Sequence, residues 1–220
     1  EENGLSVKIH STLDRREAFK DAKYVINCVR IGMLEAFATD VEIPLKYGVD
    51  QCVGDTLCIG GIMYGQRCVN ALLDFCRDIR EVAAPGCILL NYSNPNAMVT
   101  WACNKYGKVE TYGLCHGVQH GHEQIAKALG RDKKDVDIIC AGLNHQTWYI
   151  SVKTDGAERA GELFELMKNA EFAKDENIRL DVMKNFGYYS TESNGHLSEY
   201  LMWYRKRPED MEKWINYSSW

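Results

Sequence analysis

Cys87-Ile88-Leu89-Leu90-Asn91-Tyr92-Ser93-Asn94-Pro95-Asn96-Ala97-Met98 contains the change of pattern from which the fold is read. Its first five residues form a short apolar run opened by the breaker Pro85-Gly86, which predicts a buried strand over Cys87–Asn91. Ser93-Asn94-Pro95 is a turn, and Asn96–Tyr106 returns to helical spacing. Working outward, the same alternation repeats. Upstream, Ile62, Cys68, Val69, Leu72, Leu73, Cys76, Ile79 and Val82 give the stretch 61–82 one apolar helical face. Before it, Tyr24–Val29 reads as a buried strand, Asp14–Asp21 as a helix and Val7–His10 as a strand. Downstream come a strand at Val109–Leu114, a helix at His120–Leu129 and a strand at Val136–Ala141. Strand–helix alternation predicts an α/β chain with a doubly wound, mostly parallel sheet covered on both faces. Past Ile150 the rhythm turns helical, clearest at Gly161–Asn169 and Asp175–Phe186. The expected division is therefore 1–150 for the sheet domain and 151–220 for the start of a mixed α+β second domain.

Composition narrows the function classes. The 220 residues carry 26 Lys and Arg against 31 Asp and Glu, a net charge of −5. That balance argues against nucleic-acid or anionic-membrane partners, which need clustered cations. No apolar run approaches the roughly 18 residues that cross a bilayer. Nine cysteines, an odd number without a C-x-x-C pair, suit a reducing cytoplasm better than a disulfide framework. Cys28, Cys68, Cys76, Cys87 and Cys140 sit among apolar neighbours and read as small buried hydrophobes. The opening Glu1-Glu2-Asn3-Gly4 and the aromatic close at Trp220 lead to the expectation of a fragment.

Three polar clusters each follow a predicted strand: Asn91-Tyr92-Ser93-Asn94-Pro95, Cys115-His116 and Gly142-Leu143-Asn144-His145. Ligands of doubly wound sheets bind beyond the carboxyl ends of the strands, so these loops are expected to converge on one site. Each cluster alone has a plainer reading. Asn94-Pro95 is an ordinary turn initiator, Cys115 a core thiol and His145 a satisfied loop histidine. Together, a thiolate and an imidazole from neighbouring strand ends can share one divalent metal. His116, His120 and His122 form a second group, in which His116 and His120 have the spacing of a zinc pair but lack a carboxylate.

The segments Asn91–Met98, Gly113-Leu114-Cys115-His116-Gly117-Val118-Gln119 and Ala141–His145 resemble three signature stretches of glycoside hydrolase family four. Asp55-Thr56 with Gly60-Gly61-Ile62-Met63, and Gly187-Tyr188-Tyr189-Ser190-Thr191-Glu192-Ser193 with His196 and Glu199-Tyr200, resemble its α-galactosidase branch. The resemblance implies a Rossmann-like NAD-binding domain lacking its N-terminal part. It also implies an NAD- and manganese-dependent glycosidase that oxidises the sugar at C3, eliminates the glycosidic oxygen and adds water. By the same resemblance Cys115 and His145 are metal ligands, with Mn²⁺ the expected ion. Asn94, Asn144 and Asp55 contact substrate, and Asn91 with Asn94 faces the cofactor. His116 stands where the proton donor is expected, and Tyr188, Tyr189 and Glu192 are the candidates for the base. The glycine-rich pyrophosphate turn of the family is not in this sequence, and Tyr64-Gly65-Gln66-Arg67 departs from relatives and leaves the hexoside open. The full-length partner set would be a small sugar and further copies of the chain in a homo-oligomer. Two other classes stay open: a metal-free 2-hydroxyacid dehydrogenase-like oxidoreductase, disfavoured by a single arginine (Arg30) near a strand end, and a non-catalytic binding fragment.

Overall fold

Residues 6–215 are described by the computed structural model. Three strands, β1 (Tyr24–Asn27), β2 (Ile88–Asn91) and β3 (Thr111–Gly113), pair in parallel in that order. Each β connection is helical: α1 (Arg15–Phe19) precedes β1, α2 (Met33–Leu45) and α3 (Cys58–Val82) join β1 to β2, and α4 (Asn96–Ala102) with a π-type turn over Cys103–Gly107 joins β2 to β3. Period-two alternation buries Val25 and Asn27 in β1, and Leu89 and Asn91 in β2. α3 packs a stripe of Tyr64, Cys68, Leu72, Cys76 and Ile79 onto Val25, Leu89, Val99, Cys103 and Val109. That spacing of three and four keeps one helix face apolar, and complete burial of a side chain such as Leu72 contributes about 2 kcal/mol. α1 begins where Asp14 accepts the backbone N–H of Arg16 and Glu17.

After β3, α5 (Gly117–Ala128) leads into a second sheet of β4 (Asp137–Leu143), β5 (Gln146–Thr154) and β6 (Ala157–Glu158), all antiparallel. Helices α6 (Ala160–Lys168) and α7 (Asn177–Phe186) close a core of Ile125, Val136, Tyr149, Val152, Leu163, Met167, Met183 and Tyr189. α8 (Asn194–Tyr200) and α9 (Pro208–Trp214) complete the described residues. Leu197 of α8 packs on Ile178 and Val182 of α7.

Three expectations change. Val7–His10 is not a strand: among the described residues no neighbour pairs with it, and Val7 and Ile9 are exposed. α2 was not anticipated, and it leaves Leu34 and Ile43 exposed, so its apolar positions do not form a tidy buried stripe. The strand expected over Val136–Ala141 forms as β4, but it pairs antiparallel with β5 instead of extending the parallel sheet. The two-residue turn Asn144-His145 explains this, because so short a link can only fold a strand back on itself. Ile150, where the rhythm changes, lies within β5.

Candidate active site

At the end of β2 the polar residues divide between scaffold and site. Asn91 is fully buried, and both ends of its carboxamide are used internally. Its oxygen accepts from Asn27 Nδ2 at 2.7 Å and from the Ser93 N–H at 3.1 Å; its Nδ2 donates to Ser93 O and Thr100 Oγ1. Ser93 Oγ donates to Val29 O, and Asn96 Nδ2 donates to both Asn91 O and Leu114 O. These bonds lock three strand ends together. They occupy both ends of the Asn91 carboxamide in holding the scaffold. Asn94 is different: it is half-buried, and its Nδ2 donates at 3.0 Å to Asp55 Oδ2. Asp55 is buried, accepts from Thr56 Oγ1, and has the Arg30 guanidinium 3.7 Å away. Arg30 in turn lies over the rings of Phe37 and Tyr64.

A second group converges from three separate elements. Among the described residues, Cys115, His145 and Glu192 place one potential ligand atom each within 4.8 Å of one another. Cys115 follows β3, His145 is in the β4–β5 turn, and Glu192 lies between α7 and α8. The Glu192 segment is carried into place by the sheet. Ser190 bridges to Trp148, and the Thr191 N–H donates to Thr147 O, so residues 189–191 run along the edge of β5. Both His145 and Glu192 have left-handed backbone, with φ of 63° and 79°. For residues other than glycine that conformation costs about 1–3 kcal/mol and persists where surrounding structure enforces it.

The electrostatics match the geometry. Burial pushes the Cys115 thiol pKa up, and the nearby Glu192 carboxylate, 3.7 Å from the sulfur, adds to that; the Gly117 N–H and the Asn144 side chain bond the sulfur and act the other way. Burial also lowers the His145 pKa, outweighing the opposite pull of Glu192. His145 is therefore neutral at neutral pH, the form that binds a metal. Asn144 Oδ1 is buried without a hydrogen-bond partner.

The expected residues are sorted by this structure. It brings together Cys115, His145, Glu192 and Asn144 in one group, and Asn94 with Asp55 in another, joined through Thr56, whose Oγ1 is 3.0 Å from His145 Nδ1. His116 stands exposed at the start of α5, its ring 5.7 Å from that of Tyr92. Tyr188 is 45% exposed, and no hydrogen bond or ring contact links it to the group. Tyr189 points into the core, stacked on Tyr149, its hydroxyl donating to Gln124. The second histidine group does not assemble: His122 bonds Val136 O and His120 is exposed. His196 and Tyr200 reach His145 from α8, and Glu199 reaches His196, although sequence reasoning gave them no role. Their signal was the spacing of three and four that puts His196, Glu199 and Tyr200 on one helix face.

The model of the family 4 glycosyl hydrolases matches residues 1–131, and that of the family's C-terminal domain matches residues 140–218. The chain belongs to this family. It is 58% identical to an α-galactosidase of Rhizobium meliloti over its whole length, covering 45% of that protein. It is 38% identical to an α-galactosidase of Bacillus subtilis, with 92% of the chain and 47% of that protein aligned. The chain thus spans about half the length of these family 4 relatives. The solved 6-phospho-β-glucosidase of Thermotoga maritima, crystallised with manganese, NAD⁺ and glucose-6-phosphate, superposes with a TM-score of 0.73 at 26% identity, over 87% of this chain and 45% of that one. Its fold agrees with the doubly wound α/β class expected from strand–helix alternation and with the Rossmann-like domain that the resemblance implied.

Proposed function

We propose that this chain is part of a glycosidase that cleaves O-glycosidic bonds of an α-galactoside-like sugar by NAD-dependent oxidation at C3, elimination and addition of water, with a divalent metal. The observation that carries this reading is the convergence of Cys115, His145 and Glu192 from three elements beside the Asn94–Asp55 pair. The donor set fits a divalent cation. A half-buried thiol facing a carboxylate at 3.7 Å, with a neutral imidazole beside them, lacks only a positive charge to favour the thiolate. Sulfur, nitrogen and oxygen donors accept Mn²⁺ as well as softer ions of the same charge. The dinucleotide fits the carboxyl ends of β1–β3, where Asn94 and the exposed Tyr92 stand; NAD and manganese are both present in the Thermotoga relative.

Bound there, NAD supplies a hydride acceptor and donor, and the cation supplies Lewis acidity. The protein residues supply placement and protons. Asn94, held by Asp55, and Asn144, with its unpaired carboxamide oxygen, orient sugar hydroxyls. His116, exposed beside the group, protonates the departing glycosidic oxygen, a task suited to an imidazole. Glu192 joins Cys115 and His145 as a third donor to the metal, which leaves the exposed Tyr188 as the candidate to take the C2 proton. The part of the chain carrying β1–β3 and α1–α5 serves the cofactor and contributes Asn94, Asp55 and Cys115, and the part from β4 onward contributes Asn144, His145 and Glu192. The nine free cysteines support a cytoplasmic setting, and among the described residues no helix is long and apolar enough to cross a membrane. We place the full-length protein in a homo-oligomer, the sugar being its small-molecule partner.

Proton removal at C2 distinguishes this chemistry from displacement by two carboxylates. In D₂O, the full-length enzyme turning over an aryl α-galactoside with NAD⁺ and Mn²⁺ is expected to release galactose carrying deuterium at C2. Product with only protium at that carbon would overturn the redox–elimination reading.

A further inference from the structure

A line of buried polar groups runs from His145 away from the substrate side to the loop at residues 52–54. Glu199 Oε2 accepts the backbone N–H of Cys52 at 2.6 Å, Val53 at 2.9 Å and Gly54 at 3.2 Å. Its Oε1 is 2.7 Å from His196 Nδ1, and His196 Nε2 is 2.8 Å from His145 Nδ1. The side chains of His196 and Glu199 are each only 6% exposed, so water does not compete for these bonds.

Donor and acceptor chemistry fixes the proton next to Glu199. A carboxylate can only accept, so the proton between Glu199 and His196 sits on His196 Nδ1. With that as its one ring proton, His196 presents a lone pair at Nε2, which accepts from His145 Nδ1–H. Two oxygens surround the same His145 nitrogen, Thr56 Oγ1 at 3.0 Å and Tyr200 Oη at 3.1 Å. The Thr56 hydroxyl proton is directed to Asp55 Oδ1, which leaves its oxygen free to accept. With Nδ1 enclosed, the lone pair of His145 is at Nε2, which has no hydrogen-bond partner among the described residues.

We propose that Glu199 and His196 are positioning residues that hold His145 in its Nδ1–H tautomer, so that Nε2 is the atom offered to the divalent cation shared with Cys115 and Glu192. This rests on the metal site proposed above and extends it to residues that touch neither metal nor sugar. Partners of this kind on the far side of a ligating imidazole fix its tautomer and orientation, and their loss typically costs 10–100-fold in metal affinity.

Glu199→Gln reverses the line while keeping its shape. The three loop amides still require an oxygen acceptor, so the new NH₂ turns toward His196 Nδ1. His196 must then accept there and donate from Nε2, which moves the His145 proton to Nε2 and blocks ligation. In the metal-free full-length enzyme labelled with ¹⁵N-histidine, the His145 signals, assigned by their loss in His145→Gln, are expected to show a protonated Nδ1 and a bare Nε2. Glu199→Gln is expected to exchange the two signatures and to weaken Mn²⁺ binding, measured by calorimetry, at least ten-fold. If Glu199→Gln fails to fold, the wild-type spectrum decides alone, and a protonated Nε2 at His145 overturns the proposal. Loss of Mn²⁺ affinity in His145→Gln with no change of affinity or tautomer in Glu199→Gln overturns the positioning role while leaving the metal site standing. Unchanged Mn²⁺ affinity in His145→Gln removes the metal site and this proposal with it.

Discussion

The role proposed for Cys115 turns on a thiol whose pKa the fold raises when no cation is present. Burial, and Glu192 3.7 Å away, both disfavour the thiolate, and a divalent ion reverses the balance. Cys115→Ser replaces the soft donor with a weakly binding hydroxyl of similar size. In the full-length enzyme it is expected to lower Mn²⁺ affinity ten-fold or more and to lose turnover in parallel, as read by metal titration and an aryl-glycoside assay. An unaltered titration would take Cys115 out of the site. Glu199 makes a different residue-scale prediction. Burial by itself would raise its pKa, but the hydrogen bond with His196 and those from the Val53 and Gly54 amides bring it below the ordinary 4.5. A carboxyl whose folded pKa is depressed contributes stability above its unfolded pKa and loses it as pH falls through the folded one. Glu199→Gln is therefore expected to cost about 2 kcal/mol at pH 7, the scale of hydrogen bonds to a charged group. Thermal melts from pH 7 downward should show the difference from wild type shrinking below about pH 4.5. A constant gap across that range would mean the carboxylate charge contributes nothing.

Elements act by what they bring within reach. The first turn of α5 shows this at Gly117, whose N–H bonds the Cys115 sulfur. A Cβ at that position would collide with Glu192 Oε1 and stand 3.6 Å from Cys115 Sγ. Alanine is the better helix former by about 1 kcal/mol, so helix propensity alone predicts that Gly117→Ala stabilises α5. The collision predicts instead that Glu192 is displaced from the metal group. Gly117→Ala is expected to keep its helical circular dichroism and to bind Mn²⁺ at least ten-fold more weakly. Wild-type affinity in a folded Gly117→Ala protein would show that Glu192 is not a ligand. The start of α3 has the same logic without a charge: a Cβ on Gly61 would strike the Thr56 backbone, so the small residue lets the helix press on the loop that carries Asp55 and Thr56.

Across the whole molecule, the candidate site is shared between two sheets that otherwise have separate cores. Asn94, Asp55 and Cys115 come from the parallel-sheet part, and His145, Glu192, His196 and Glu199 from the antiparallel part. A cation held by Cys115, His145 and Glu192 would tie one part to the other. Any ligand that binds only the folded arrangement stabilises it, by about 2.7 kcal/mol at 100 times the dissociation constant. Saturating Mn²⁺ is thus expected to raise the melting temperature of the full-length enzyme by several degrees, and Cys115→Ser to abolish the rise. A rise that survives in Cys115→Ser would place the stabilising ion elsewhere.

The sequence alone determined the alternation of strands and helices and the three polar clusters that follow them. Those are local properties: a strand or helix is read from neighbours one to four residues away, and Asn94, Cys115 and His145 each sit where a local apolar run ends. The stripe of α3 was legible for the same reason. Only the tertiary structure decided which strand partner each run would find. Val7–His10 has the residues of a strand but no neighbour, and β4 pairs with β5 because the turn at Asn144-His145 is too short for a crossover. Asn91 reads as a site residue by position, yet its carboxamide is used in joining strand ends from residues 27 to 100. Glu192, His196 and Glu199 lie 47 or more positions beyond His145; Glu192 is brought to it by the segment along β5, and His196, with Glu199 behind it, by α8. Contacts across such separations are set by how elements stack and bury their faces, a constraint that no window of sequence contains.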